Sequence, residues 1–339
     1  MVAQTHVRAI QDLGGDARLV GVLSRDRTRA ARFVEVCCGD LASRIQVYST
    51  VSEIAADESV EAVAICTPPN ARVELVEELA AAGKHILMEK PVERTVSAAR
   101  RIVETCAAHG VKLGIFLQHR MRASAQEMRR LLDAGALGDI ALIEITVPWW
   151  REQAYYDEPG RGTMERDGGG VLISQAIHTL DLALSLLGPV TRVQAMARTT
   201  ALHDMEAEDF VSAGLDFRSG AVGSLVASTA SFPGGAESIV AHGTKGSARL
   251  ASGRLDVTFR DGRSETFGED TGTGGGADPM AFTHGWHQAI YQDFFDAVRE
   301  DRDPVASGRD ALGVQALIEA LIQSSKEGRA LSVPDPEAP

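Results

Sequence analysis

The stretch that decides the fold is Ala82 to Val92, which reads A-G-K-H-I-L-M-E-K-P-V. Gly83 ends a helical pattern, and the apolar run His85 to Met88 that follows it is typical of a buried parallel strand. Pro91 stops that strand and restricts the backbone of the residue before it. Lys90 is therefore expected in a fixed setting at the carboxyl end of a strand, which is the edge where ligands bind in open α/β sheets.

The preceding strand, Ala62 to Cys66, ends in a second loop that contains prolines, T-P-P-N at residues 67–70. Taken together, this loop and the 82–92 stretch resemble the glucose-fructose oxidoreductase, inositol dehydrogenase and rhizopine catabolism family (Gfo/Idh/MocA). The resemblance covers nearly the whole chain, and it implies an α/β fold whose N-terminal Rossmann domain binds NAD or NADP. The residues expected to contact that cofactor are Ala3, Ser24, Arg25, Thr67, Pro68, Pro69, Asn70, Glu89, Lys90 and His119.

The composition is typical of a soluble protein with two domains. The chain has 339 residues, of which 44% are hydrophobic and 24% charged, and this is enough for a core in each of two domains. A net charge of −13 argues against a protein that binds nucleic acid or an anionic membrane. Neither a membrane span nor a signal peptide is recognisable. The four cysteines form no C-x-x-C pair, which favours a reducing cytoplasm and no metal site.

The first residues lack the expected start of a dinucleotide-binding unit. Such a unit opens with a strand and G-x-G-x-x-G or G-x-G-x-x-A, whose glycines bring the pyrophosphate to the N-terminus of the first helix. Here Val2 to Leu13 already has helical spacing, and Ala3 matches the last position of the family's motif. The first strand and two glycines, roughly ten residues, are missing, so the two neighbouring strands should have open edges. We favour a start assigned at an internal methionine over a real loss of cofactor binding.

The choice between NAD and NADP stays open. Ser24 and Arg25 follow the strand predicted over Ala17 to Leu23, where an acid would bind the ribose of NAD and a neutral and basic pair would bind the extra phosphate of NADP. The absence of a carboxylate at Ser24 favours NADP, whereas the nearby Asp26 weakens that preference. A solvated surface charge is an equally good interpretation of Arg25.

We place a domain boundary near residue 119, which gives a dinucleotide-binding domain over 1–119 and a substrate and oligomerisation domain over 120–339. The second domain is predicted to be α+β with one large, mostly antiparallel sheet. A helix is expected from about Val171 to Leu187, and a mobile loop at Gly272 to Gly276. The resemblance implies a homodimer or homotetramer that associates through the open face of this sheet.

A polar stripe follows the three glycines at 168–170. Ser174 and His178 are four residues apart and Asp181 is three further on, so they share one face of an apolar helix. Buried polar groups must be paired, and in isolation His178 is more often a satisfied core histidine. The resemblance implies instead that Lys90 and His178 act in proton transfer. Ser174 replaces an acidic or amide residue of the family and cannot act as a carboxylate base, so Lys90 and His178 must carry the proton.

Arginines and tyrosines flank this helix in sequence. Arginine favours carboxylates or phosphates, and tyrosine stacks on rings and hydrogen-bonds to them. Solvated loop residues are an equally good interpretation of each one taken singly. The predicted substrate-binding residues are Arg151, Tyr155, Tyr156, Arg161, Ser174, Gln175 and Asp181, whereas His284 and His287 are interpreted as structural.

The resulting hypothesis is an NAD(P)-dependent dehydrogenase or reductase. It would transfer a hydride between nicotinamide and a secondary alcohol or ketone of a sugar, sugar acid or cyclic polyol. One alternative is a catalytically inactive regulatory protein of the same family that binds a dinucleotide or another ligand. Another is an enzyme that cleaves glycosides with the help of bound NAD.

Overall fold

The computed structural model describes residues 2–270 and 283–335, so the loop expected at 272–276 lies outside the described residues. The chain divides into two compact units. One comprises Met1–Val92, Ser97–Phe116 and Thr283–Gly308, and the other comprises Glu93–Val96, Leu117–Phe282 and Arg309–Pro339. The division falls close to the expected boundary at 119, but it is not a single cut, because a later segment returns to the first unit.

The first unit alternates helices and strands up to residue 116, as the sequence predicts. Two of its helices begin at side-chain caps: Asp26 accepts a hydrogen bond from the Arg29 backbone N–H at 3.1 Å, and Thr50 accepts one from Glu53 at 3.2 Å. Its elements are α1 (Val2–Asp12), β1 (Gly21–Leu23), α2 (Arg27–Cys38), β2 (Gln46–Tyr48), α3 (Val51–Ala56), β3 (Ala62–Ile65), α4 (Val73–Ala81), β4 (His85–Met88), α5 (Val96–Ala108) and β5 (Leu113–Ile115).

The strands of this unit form two separate parallel sheets. One has the order β3-β4-β5, and the other consists of β1 and β2 alone. Among the described residues, β1 pairs only with β2, and β3 pairs only with β4. In the part of the chain that the structure describes, β1 and β3 therefore each keep one open edge, as predicted. The strand expected over Ala17 to Leu23 is shorter than predicted, because only Gly21–Leu23 have a partner strand.

The remaining described elements are the nine strands of a large sheet and five α-helices, of which α7 is a single turn. The sequence did not predict the short strands at 264–268 and 331–332, which are partly or fully exposed and carry no apolar run. In chain order the elements are α6 (Ala123–Asp133), β6 (Ile140–Pro148), α7 (Gln153–Tyr156), α8 (Ile177–Leu187), β7 (Val190–Arg198), β8 (Phe210–Phe217), β9 (Val222–Ser228), β10 (Ser238–Gly243), β11 (Gly246–Ala251), β12 (Arg254–Phe259), β13 (Ser264–Gly268), α9 (Gly285–Glu300), α10 (Gly308–Glu327) and β14 (Leu331–Ser332).

The sheet of the second unit has nine strands in the order β13-β12-β11-β10-β6-β9-β8-β7-β14. Each neighbouring pair is antiparallel except β6 and β9, which are parallel. Helix α8 lies against β6 and β10, and α6 lies against β11, β12 and β13. The prediction of a large, mostly antiparallel sheet is confirmed. Among the described residues, none of the helices combines the length and the apolar character that crossing a bilayer requires.

Candidate active site

Lys90 stands at the carboxyl end of β4, as predicted. It is the partly exposed residue in an otherwise buried run, since Met88, Glu89, Pro91 and Val92 are all buried. The Lys90–Pro91 peptide bond is cis. The backbone on both sides of Lys90 is therefore enclosed by protein, while its side chain reaches the surface of the first unit.

The buried Arg72 ties the two loops at this sheet edge together. Its side chain donates to the Thr67 carbonyl oxygen from Nε at 2.9 Å and from Nη2 at 2.7 Å, and Nη1 donates to the carbonyl oxygens of Glu89 and Pro91. Only 2% of Arg72 is exposed, and a guanidinium at such a site must be fully hydrogen-bonded. Sequence reasoning missed this residue, although an arginine directly after T-P-P-N was the available signal.

The Glu89 carboxylate is engaged inside the first unit. Its Oε2 accepts a hydrogen bond from the Lys90 backbone N–H at 3.2 Å, and its Oε1 lies 3.1 Å from His6 Nε2 and 3.8 Å from His287 Nε2. These contacts favour a structural role for Glu89 over the predicted cofactor contact. They also give His287 the structural role predicted for it.

Among the other predicted cofactor contacts, Arg25 is fully exposed and Ser24 is partly exposed just after β1. The carboxylate of Asp26 caps α2, so it already has a structural role beside them. Ala3 lies in the first turn of α1 and is partly exposed. Thr67 and Asn70 are exposed at the end of the T-P-P-N loop, whereas Pro69 is buried.

In the second unit, the glycines at 168–170 lead into a helix whose start is held by Glu208. The Glu208 carboxylate accepts from the backbone N–H groups of Gly170 and Leu172, both at 3.1 Å, and its carbonyl accepts from Val171 at 2.8 Å. A Cβ atom on Gly170 would lie 1.8 Å from the Glu208 carbonyl oxygen. Gly170 therefore permits a close backbone approach, and the approaching group is Glu208, which sequence reasoning missed.

Substituting Gly170→Ala should destabilise the protein by about 3 kcal/mol, because a methyl group there would push the Gly170 backbone away from the Glu208 backbone. Gly214→Ala is the matched control, since a Cβ at Gly214 meets nothing within 4 Å, and its effect should stay within about 0.5 kcal/mol. Urea denaturation of both variants measures the difference. Equal midpoints for the two variants would contradict the close approach.

A helix spans Val171 to Leu187, as predicted, but it is not a regular α-helix throughout. Residues Leu172–Ala176 form a π-helical turn, and α-helical geometry begins at Ile177. The four-residue spacing between Ser174 and His178 crosses this turn, in which hydrogen bonds join residue i to i+5, so regular α-helical spacing does not describe it. Such turns are frequent at functional sites.

His178 lies against the ring of His119. Their ring centroids are 4.8 Å apart with an interplanar angle of 28°. His119 Nε2 lies 2.6 Å from Arg122 Nη2, and an arginine is a donor only, so Nε2 must accept and His119 carries its proton on Nδ1. Arg122 also donates to Glu237 at 2.7 Å. Within the second unit, the geometry thus makes His119 a neighbour of His178.

Asp181 forms a buried ion pair. Its two carboxylate oxygens accept from Arg120 Nη2 at 2.6 Å and from Nε at 2.8 Å. Burial by itself lowers the pKa of Arg120, but the carboxylates of Asp181 and Asp310 outweigh burial and raise it, so the guanidinium stays charged. Burial raises the pKa of Asp181, against the opposing effect of Arg120. This geometry favours a structural role for Asp181 over the predicted substrate contact.

The structure brings several predicted substrate residues together around Tyr155. Its hydroxyl accepts from Gln175 Nε2 and from Arg161 Nη1, each at 3.3 Å. The Arg161 guanidinium also lies 4.9 Å from the centre of the Tyr155 ring, and that of Arg151 lies 5.8 Å from it. The Oε1 atom of Gln175 is buried without a hydrogen-bond partner among the described residues.

Tyr156 belongs to the core instead. It is buried, its hydroxyl lies 2.6 Å from Thr229 Oγ1, and its ring is 4.8 Å from that of His203. Burial raises the pKa of Tyr156. Its role as a substrate contact is therefore not favoured by the geometry.

Two family profiles match the chain. The profile described as "Oxidoreductase family, NAD-binding Rossmann fold" matches residues 1–117, and that described as "GFO/IDH/MocA C-terminal domain" matches 125–249. The chain belongs to the GFO/IDH/MocA family. This confirms the resemblance carried by the T-P-P-N and E-K-P loops, and with it the assignment to an oxidoreductase family with a nicotinamide cofactor.

Relatives of this GFO/IDH/MocA protein match over nearly its whole length. It is 26% identical over 341 residues to inositol 2-dehydrogenase of Rhizobium meliloti, covering 98% of this chain and 96% of that protein. It is 27% identical over 350 residues to D-apiose dehydrogenase of Paraburkholderia graminis, covering 99% and 88%. Among solved structures, the WlbA dehydrogenase from Bordetella pertussis, in complex with NADH and UDP-GlcNAcA, matches with a TM-score of 0.82 and 28% identity, covering 98% and 96%.

Proposed function

We propose that this protein is an NAD(P)-dependent oxidoreductase that interconverts a secondary alcohol and a ketone on a sugar, sugar acid or cyclic polyol. The observation that carries the proposal is the position of Lys90, a partly exposed lysine with a hydrogen-bonded backbone at the carboxyl end of β4, in a family with an NAD-binding domain. Relatives named for inositol and apiose dehydrogenation support the substrate class.

Oxidation of such an alcohol breaks two bonds. NAD or NADP, when bound, takes up the hydride from the carbinol carbon at nicotinamide C4. The hydroxyl proton passes to a base of the protein, and we assign that role to Lys90 together with His178. A histidine is suited to this because its unperturbed pKa lies near neutrality. Ser174 has no carboxylate, so it takes no part in proton transfer.

The cluster around Tyr155 supports a sugar-like substrate. Tyr155, Arg161 and Gln175 combine an aromatic face, a cation and an amide, which are the groups that recognise rings, carboxylates and hydroxyls. Arg161 is also paired with Glu158 at 3.2 Å, which moderates its attraction for an acidic substrate. We keep Arg151, Tyr155, Arg161, Ser174 and Gln175 as substrate contacts and give Tyr156 and Asp181 structural roles.

The cofactor fits the first unit in part. The exposed Thr67 and Asn70 and the partly exposed Lys90 lie on loops after two neighbouring strands, which is the edge where a Rossmann domain holds its nicotinamide end. No G-x-G-x-x-G or G-x-G-x-x-A motif for the pyrophosphate lies between residues 2 and 92, and among the described residues β1 and β3 each keep an open edge. Arg25 is exposed, and the neighbouring Asp26 caps α2. The choice between NAD and NADP therefore has to be measured.

Calorimetric titration of NAD(H) and NADP(H) tests the proposal, first on this chain and then on a version extended upstream in its reading frame. Binding to either version, followed by NAD(P)H production with a polyol or sugar acid, supports the dehydrogenase. Binding by only the extended version assigns the pyrophosphate cradle to upstream residues. If neither version binds, the oxidoreductase proposal fails, whereas binding without turnover on any polyol or sugar points to the regulatory alternative.

We further propose that the protein forms a homodimer or homotetramer through the open face of its large sheet. Leu142 on β6 pairs with Val222 on β9, and Val226 on β9 follows four residues later on the same face. These side chains are 40%, 54% and 42% exposed, an apolar patch of the kind that marks protein interfaces. A monomeric mass measured by light scattering at working concentration would refute the proposed oligomer.

A cytoplasmic location and a small-molecule substrate complete the proposal. The net charge of −13 gives nucleic acid or an anionic membrane no attraction. All four cysteines are free thiols, which suits a reducing compartment.

A further inference from the structure

A buried cluster in the first unit joins three segments of the chain. His6 comes from α1, Glu89 follows β4, and His287 lies in the first turn of α9. One ring nitrogen of each histidine and one carboxylate oxygen of Glu89 all lie within 4.8 Å of one another. Tyr291, one turn beyond His287, places its hydroxyl 3.2 Å from His6 Nδ1. We call these four residues the Glu89 cluster.

The Glu89 cluster holds its carboxylate in the charged form. Burial by itself raises the pKa of Glu89, but hydrogen bonds from His287 and His6 outweigh it and hold that pKa well below its usual value. Burial by itself lowers the pKa of His6, but hydrogen bonds with Cys66 and Glu89 outweigh burial and raise that pKa to about 10. An imidazolium and a carboxylate therefore neutralise each other in a dry site, where either ion alone would be costly.

The second oxygen of Glu89 connects this cluster to Lys90. Oε1 serves the two histidines, while Oε2 accepts the backbone N–H of Lys90 at 3.2 Å. Arg72 separately binds the carbonyl oxygens of Glu89 and Pro91. The Glu89–Lys90 peptide group is thus held at both of its polar atoms, the N–H by a carboxylate and the carbonyl by a guanidinium, and the same guanidinium binds the carbonyl of Pro91.

We propose that His6, Glu89 and His287 are positioning residues that fix the backbone of Lys90, so that α1 and α9 both set the placement of the catalytic amine. The inference rests on the proposed role of Lys90. A carboxylate has two acceptor oxygens, and this site uses both of them for different partners. An amide in its place has one acceptor oxygen, so either the histidines or the Lys90 N–H must lose its partner.

The Glu89→Gln variant tests the proposal through hydrogen exchange of the Lys90 amide, isolated in NMR spectra by selective ¹⁵N-lysine labelling. We expect exchange at Lys90 to speed up by about tenfold or more in E89Q and in His287→Phe. Glu93→Gln is the matched control, because Glu93 is equally buried and its carboxylate accepts from the backbone N–H groups of Arg94 and Thr95. It should leave the Lys90 amide unchanged.

Acylation of the Lys90 amine, measured by mass spectrometry relative to the exposed Lys326, gives a second readout. The ratio should change in E89Q and stay constant in E93Q. Unchanged exchange and an unchanged ratio in E89Q, with only a loss of global stability, would overturn the proposal. So would one zinc ion per purified chain, because His6, Glu89 and His287 would then be metal ligands. If Lys90→Met keeps full turnover while E89Q frees the Lys90 amide, the catalytic role proposed for Lys90 fails and the positioning of its backbone stands.

The charge pair also predicts a pH dependence of stability. Because the pKa of His6 is raised from 6.5 to about 10, its stabilising contribution is complete below pH 6.5 and is lost as the pH rises through about 10. The stability difference between wild type and His6→Gln should therefore shrink over that range. The groups facing His6 are Glu89, Cys66, His287 and Tyr291. Denaturation at several pH values measures the difference, with the exposed His109→Gln as control, and a constant difference would contradict the pair.

Discussion

Replacing Lys90 by methionine should lower kcat/KM for the oxidation of a sugar or polyol by about 10²–10⁴-fold, the usual contribution of a general acid or base. Methionine keeps the length and apolar character of the lysine stem, so the buried backbone around it has no reason to move. The contacts of Arg72 and Glu89 are with the main chain of this loop. Binding of the nicotinamide cofactor should therefore be affected far less than turnover.

Lys112→Met is the matched control for this experiment. Lys112 lies in the same unit, is half-buried and pairs with Asp301 at 2.8 Å, and it has no proposed part in the reaction. We expect its kcat/KM to stay within about twofold of wild type. A K90M enzyme that turns over as fast as the K112M enzyme would remove Lys90 from the mechanism, and His178 would then have to carry the proton alone.

Replacing Asp181 by alanine should destabilise the protein by about 3 kcal/mol, at the lower end of the range for breaking a buried ion pair. The side chain of Asp181 is fully buried and that of Arg120 is 10% exposed, so the substitution leaves a cation in a site with little water. Asp310, whose carboxylate lies 3.4 Å from Arg120 and is 43% exposed, remains as a weaker partner and limits the loss.

Asp216→Ala provides the comparison for that measurement. Asp216 pairs with Arg192 at 2.8 Å with both side chains largely exposed, and such pairs contribute about 0–1 kcal/mol. Urea denaturation of the two variants should therefore give clearly different midpoints. If Asp181→Ala instead keeps the stability of wild type and loses turnover, Asp181 contacts the substrate, as its sequence position first indicated.

The local pattern of apolar and turn-forming residues was enough to locate the strands next to the proposed active-site residue Lys90. Strand β4 has the predicted bounds, His85–Met88, and β3, predicted over Ala62 to Cys66, spans Ala62–Ile65. Both are continuous or alternating apolar runs between clear turn signals, and a strand of that kind forms wherever its faces find a core. The same local reasoning placed Lys90 at a strand end and predicted two open strand edges from the missing glycine motif.

Periodicity predicted the bounds of the helix from Val171 to Leu187 but not its internal geometry. The pattern from Val171 to Leu187 has the apolar content of a single α-helix, and nothing in it distinguishes an α turn from the π turn at 172–176. The turn follows the capping of Gly170 and Leu172 by Glu208, a residue 38 and 36 positions away in the chain. The roles of the polar residues on this helix therefore depend on a contact that the helix itself does not encode.

The sequence by itself determined the family, the two kinds of domain, the strand that presents Lys90 and the helix that carries His178. Only the tertiary structure decided which polar residues are partners: Glu89 with His6, 83 positions apart, and Asp181 with Arg120, 61 positions apart. The physical reason is that a buried charge must be neutralised by whichever group the fold brings to it. A strand or helix is specified by its own neighbours in sequence, whereas that partner is specified by the packing of the whole unit.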